Sequence, residues 1–83
     1  MLIIKVLGSG CEDCKKVEAI ARKIVTTLSL DAEVIIVTDY AEIQRYNILD
    51  TPGLVINEKL VCAGRIPSES EMMTWVVNIL EKN

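Results

Sequence analysis

Cys11 and Cys14, separated by Glu12 and Asp13, are the residues whose types and spacing carry chemistry in this 83-residue chain. Placed three apart on a first helical turn, two cysteines bring their Cα atoms into the range of about 4.4–6.8 Å over which a disulfide closes. A helix start also offers unpaired N–H groups and the positive end of the helix dipole, which stabilise a thiolate. Cys11, at the outer edge of that turn, is therefore the expected nucleophile. Cys14, one turn in and more shielded, is the expected resolving thiol. Glu12 and Asp13 favour a helix start but disfavour a neighbouring thiolate. The couple is thus expected to be reducing rather than strongly oxidising.

A metal is the competing use of the same pair. A closed structural zinc site takes four Cys or His ligands. This chain has no His and only one further cysteine, Cys62, so no metal and no cofactor is expected. Carriage of a soft ion on two thiolates stands as the alternative function. The redox reading gains weight if the pair follows a strand and opens a helix in a βαβ setting.

The flanking elements give that setting. Leu2 to Leu7 is a short apolar run broken by Lys5 and closed by Gly8-Ser9-Gly10, which reads as a buried strand and a turn. From Cys11 to Leu28 the period becomes helical: Val17, Ile20, Ala21, Ile24, Val25 and Leu28 share one face. Glu33 to Val37 is apolar on both faces, as expected of a parallel strand covered on both sides. Asp39 and Glu42 spell a capping box for a short second helix, ended by Asp50-Thr51-Pro52-Gly53. Leu54 to Ile56 and Leu60 to Ala63 read as a hairpin around Asn57-Glu58-Lys59, with Glu58 an awkward residue for a positive φ. Ser68 and Glu71 cap a last helix whose apolar face is Met72, Trp75, Val76, Ile79 and Leu80. The order βαβαββα over residues 1–83 is that of one α/β domain, since a chain this short does not divide into two cores.

Composition limits the partners. Hydrophobic residues make up 51% and charged residues 25%, with a net charge of −3. The basic residues Lys15, Lys16, Arg22 and Lys23 are mixed with acids along one helix. No nucleic acid and no membrane surface is therefore expected as a partner. No apolar run reaches the ~20 residues that span a bilayer, no secretory signal is apparent, and the expected location is the cytoplasm. There, a close cysteine pair works in catalysis or binds metal more often than it staples a fold.

By itself Thr51-Pro52 reads as a trans X–Pro turn ending a helix. Together with the CxxC after the first strand, a Gly after the last strand and a closing helix, it makes nearly the whole chain resemble the thioredoxin and glutaredoxin superfamily, and most closely its small prokaryotic thioredoxin-like members. The resemblance implies a minimal thioredoxin fold: a four-stranded mixed sheet flanked by three helices. It implies a thiol–disulfide oxidoreductase that reduces protein disulfides as a monomer and is recharged by a separate reductase. It implies that Pro52 is cis beside the pair and that Thr51 offers its backbone to an extended substrate. Gly10 and Arg65 are further substrate-contact candidates. Departures from the family pattern are Gly10 in the usual Trp place, Glu12-Asp13 in place of Gly-Pro, and no Asp after Gly64 to hold glutathione. Lys5 stands where thioredoxins bury an Asp. It either acts electrostatically on Cys14 or reaches out to the sheet edge. Cys62, Trp75, Met72 and Met73 read as packing residues. Heavy-metal-associated domains share the Gly-Ser-Gly-Cys-x-x-Cys opening but end on a strand.

Overall fold

The computed structural model describes residues 1–8 and 10–81. Its elements run β1 (Leu2–Leu7), α1 (Glu12–Thr27), β2 (Ala32–Val37), α2 (Tyr40–Gln44), β3 (Gly53–Ile56), β4 (Lys59–Ala63) and α3 (Glu69–Glu81). Ser9, in the middle of the expected turn, lies outside the described residues. The strands form one sheet in the order β2-β1-β3-β4, with β1 parallel to β2 and antiparallel to β3, and β4 antiparallel to β3. This is the four-stranded mixed sheet with three helices that the resemblance implies.

Strand alternation sorts the apolar residues onto two faces. Leu2, Ile4, Val6, Leu54, Ile56 and Cys62 pack with Val17, Ala21 and Ile24 of α1 and Met72 and Val76 of α3. On the other face Leu7 and Val55 meet Ile43 and Ile48 of the α2 segment. Ile4, Val6, Ile24, Ile56, Met72 and Val76 are fully enclosed. Truncating one of these larger aliphatic side chains to Ala costs about 2–5 kcal/mol.

Two boundaries are set by side chains. Ser68 Oγ accepts from the Glu71 N–H at 3.1 Å and Glu71 Oε1 accepts from the Ser68 N–H at 3.1 Å, so the expected capping box opens α3. At α2 the box is half made. Asp39 Oδ1 caps the Ala41 N–H at 2.9 Å, while the Glu42 carboxylate is turned to Arg45. The covered position expected of β2 is corrected. β2 is an edge strand, and Val34 to Val37 are only half-buried on both faces. The loop between β3 and β4 is two residues, Asn57 and Glu58, both at positive φ (49° and 68°), as the tightest hairpins require.

Candidate active site

β1, α1 and the segment before β3 converge on the cysteine pair. Cys11 is the N-cap of α1 with extended backbone (φ −68°, ψ 159°), and its Sγ accepts a hydrogen bond from the Cys14 N–H at 3.1 Å. The two residues, Cα atoms 5.1 Å apart, are joined as a disulfide. Cys14 is buried at 3% exposure, whereas Cys11 is half-buried at the edge of the core. The shielding that the sequence implied is therefore present. Glu12 and Asp13 are exposed and open the first helical turn.

Gly8 ends β1 directly under the pair. A Cβ at this position would overlap Cys14 Sγ and lie 3.6 Å from Thr51 Cβ. Only the smallest residue lets Cys14 and Thr51 approach the strand end together. The sequence showed Gly8 as punctuation, not as packing. The one available signal was a glycine closing a buried strand just before the CxxC. Gly10 is different: it is exposed, nothing stands near its Cβ position, and its φ of +74° is what a glycine supplies.

The Thr51–Pro52 bond is cis. Pro52 is buried, and its carbonyl accepts from the Gly64 N–H at 2.9 Å, which ties the loop after β4 to the site. Thr51 is exposed, and among the described residues its backbone N–H and C=O make no hydrogen bond. Arg65 follows in the same loop. Its guanidinium is held by both oxygens of Glu71 at 3.0 and 2.8 Å. The Arg65 guanidinium and the Ser68 N–H lower the Glu71 carboxyl to about 2.

Lys5 lies elsewhere. Its ammonium donates to Glu58 Oε1 at 2.7 Å and to Tyr46 Oη at 3.2 Å, and Tyr46 Oη donates to Glu58 Oε2 at 3.0 Å. The Glu58 carboxylate first, then the Tyr46 hydroxyl, raise the Lys5 pKa, and Lys5 in turn lowers that of Glu58. These contacts are on the α2 face, away from the α1 face where Cys14 packs. They give no support to an action of Lys5 on Cys14, and Lys5 reaches a specific partner rather than solvent. Cys62 is buried at 8%, its Sγ 3.9 Å from the Arg65 carbonyl. Met72 is buried, and Met73 and Trp75 are half-buried against the core. Tyr40 and Leu49, exposed at 74% and 98%, flank a groove that runs up to Thr51. An exposed leucine in a polar turn leaves no trace in periodicity, and Leu49 was not among the residues singled out from the sequence.

Among the described residues no group of three or more His, Cys, Asp or Glu is placed to hold a metal ion. No described helix is long and apolar enough to cross a membrane.

A family model described as a thioredoxin domain matches residues 2–77. A thioredoxin of Methanocaldococcus jannaschii is 35% identical over 81 residues, covering 98% of this chain and 93% of that protein. A thioredoxin of Methanothermobacter thermautotrophicus is 32% identical over 72 residues, covering 87% and 94%. Among solved structures, the germline-specific thioredoxin Deadhead of Drosophila melanogaster superposes with a TM-score of 0.66 at 18% identity, over 93% of this chain and 79% of that one. Thioredoxin-2 of the malaria parasite's protein secretion machinery superposes with a TM-score of 0.69 at 10% identity, over 94% and 82%. At those identities the two structures speak for the fold alone.

Proposed function

The chain belongs to the thioredoxin family, and we propose that in its thiol–disulfide oxidoreductase activity Cys11 is the attacking sulfur and Cys14 the resolving one. Its substrates are protein disulfides, and a reductase returns the electrons. The observation that carries the assignment is the exposure difference within the closed pair: Cys11 is only half-buried and Cys14 is enclosed. The Cys11 thiolate attacks one sulfur of the substrate disulfide, and the other sulfur leaves as a thiolate. The Cys14 thiol then loses its proton to that leaving group, attacks Cys11 Sγ and releases the second substrate sulfur. Two electrons pass to the substrate, and the Cys11–Cys14 disulfide remains. Among the described residues no charged or polar side chain is buried beside Cys14 to take its proton, so the proton goes to the leaving thiolate or to water.

In the same reading Thr51 pairs its free N–H and C=O with an extended substrate strand. Pro52, without an N–H, keeps that strand from sliding further, and Gly10 leaves room over Cys11. Arg65 contacts the substrate with the part of its side chain that Glu71 leaves open. The domain spans 1–83 and acts as a monomer in the cytoplasm, where thiols are kept reduced. The metal-carrier alternative is not favoured. The chain matches a thioredoxin domain over residues 2–77 and thioredoxins along their length.

The test uses three single variants with an oxidised protein substrate. Cys11→Ser abolishes reduction. Cys14→Ser accumulates a mixed disulfide on Cys11, seen as an added substrate mass that dithiothreitol removes. Cys62→Ser reduces at the parent rate. A mixed disulfide on Cys14 in the Cys11→Ser variant, in place of one on Cys11, would reverse the two roles.

A further inference from the structure

Of the ion pairs among the described residues, Arg65–Glu71 is the one in which two guanidinium nitrogens each meet a separate carboxylate oxygen, at 3.0 and 2.8 Å. A fork-to-fork pair fixes direction as well as distance. Glu71 is itself held. Its Oε1 also accepts from the Ser68 N–H at 3.1 Å, its own N–H donates to Ser68 Oγ at 3.1 Å, and the next residue, Met72, is fully enclosed in the core. Arg65 lies on the loop from β4 to α3, directly after Gly64. The Gly64 N–H donates to the Pro52 carbonyl at 2.9 Å. A Cβ at Gly64 would stand 3.4 Å from Asp50 Cβ, so the loop lies against the residues on both sides of Thr51. Thr51 Cβ in turn is 3.6 Å from where a Gly8 Cβ would overlap Cys14 Sγ. A continuous path of short contacts thus runs from the anchored helix α3, through Glu71, Arg65, Gly64 and Pro52, to Thr51 beside the cysteine pair.

Building on the reading of Thr51 as the strand-pairing residue, we infer that Arg65 and Glu71 are a positioning pair: by holding the Gly64 N–H on the Pro52 carbonyl, they set the Thr51 backbone for an incoming polypeptide disulfide. Gly64 sits at a φ of +80°, and glycine is the residue with the most backbone freedom to lose. The clamp on its neighbour removes that freedom before a substrate arrives, and docking onto an edge already in place costs less. Without the clamp the Gly64–Pro52 bond opens more often and Thr51 is presented less exactly. The two sulfurs stay where they are, because Cys11 caps α1 and Cys14 is buried on it. The pair therefore governs how tightly a polypeptide docks and leaves the exchange between sulfurs alone. A small disulfide, with no strand to pair, does not sense it.

The experiment measures kcat and KM for a disulfide-bonded peptide, the rate on hydroxyethyl disulfide, and amide hydrogen exchange at Gly64 by NMR. The proteins are the parent, Glu71→Gln, Arg65→Met, the double variant and Ser68→Ala. Gln still serves a capping box, so Glu71→Gln takes away the charge that Arg65 grips and spares the helix start. Ser68→Ala does the reverse, removing the hydroxyl cap and leaving the clamp. Glu71→Gln raises KM about 2- to 10-fold, the scale of one weakened hydrogen bond, with faster exchange at Gly64 and with kcat and the hydroxyethyl disulfide rate unchanged. The double variant is no worse than Arg65→Met, since the two residues act as one unit. Ser68→Ala keeps the parent KM and the parent exchange at Gly64. An unchanged KM in Glu71→Gln, a rise without faster Gly64 exchange, or an equal rise in Ser68→Ala overturns the inference. The reading beneath it is tested apart, on the parent alone. A peptide N-methylated on either side of its cysteine that docks as well as the unmethylated one counts against pairing at Thr51, and hydroxyethyl disulfide left intact counts against the roles of Cys11 and Cys14.

Discussion

The two ends of β3 hold similar backbone shapes for opposite purposes. At its far end the Asn57–Glu58 turn has two non-glycine residues at positive φ, and each is tied down. Asn57 Oδ1 accepts from the Ile3 N–H at 2.9 Å, the Asn57 N–H donates to the Ile3 carbonyl at 2.8 Å, and Glu58 is bound by Lys5 and Tyr46. At its near end glycines take the unusual angles, Gly10 and Gly64 at φ +74° and +80°, and Thr51 is left without backbone partners among the described residues. One end uses the Asn57 and Glu58 side chains to fix the hairpin. The other keeps side chains small and a strand edge open beside two sulfurs.

Four changes test that contrast, beginning with the largest effect. Gly8→Ala drives a Cβ into Cys14 Sγ. Crowding of this kind costs about 1–3 kcal/mol, so urea denaturation of the oxidised protein shifts to lower concentration and disulfide reduction slows as well. A parent-like denaturation curve and rate would mean that the near end tolerates bulk, and the contrast would fail. Asn57→Ala removes the bond to Ile3 and puts a residue that resists positive φ into the turn. Stability falls by about 1–2 kcal/mol, with kcat/KM for a protein disulfide unchanged. A matching loss of activity would show that the two ends are coupled.

Glu71→Gln acts on the acid limb. The folded-state carboxyl, at about 2, lies below its ordinary value of 4.5. Its contribution is complete above the unfolded value and is lost as pH falls from there through about 2. The variant is less stable than the parent at pH 7, and the gap closes between pH 4.5 and 2, as followed by thermal melts. Lys5→Met is the smallest. It lowers the melting temperature slightly by freeing Glu58, and it leaves the midpoint potential of the cysteine pair where it was. A shifted potential would return Lys5 to the redox site.

Local signals were legible in the sequence because their partners are close in the chain. Ser68 and Glu71 bond each other across one turn, Cys11 and Cys14 across another, and the apolar stripe of α1 follows from its period. What was not legible depends on distant partners. Lys5 finds Glu58 53 residues on, and nothing near Lys5 announces it. β2 reads as a covered strand because its run is apolar, but an apolar run does not record how much of each face its neighbours cover, and at the edge of the sheet both faces are only half-buried. Gly8 serves a turn and a sulfur at once, and only the turn has a sequence signature. Arg65 was singled out in the sequence for its place after Gly64, but its clamp on Glu71 was not legible.

The bond from the Gly64 N–H to the Pro52 carbonyl has a kinetic consequence. With that oxygen taken and no proline N–H to give, the open edge is one residue long. On the proposed pairing at Thr51, a visiting strand would gain two backbone hydrogen bonds, each worth about 0.5–1.5 kcal/mol. That would lengthen a visitor's stay by roughly 5- to 150-fold. A longer ladder would hold the reduced product and stall the next turnover. On that proposal, a one-residue berth would let the covalent mixed disulfide, and not the docking, set how long each partner remains.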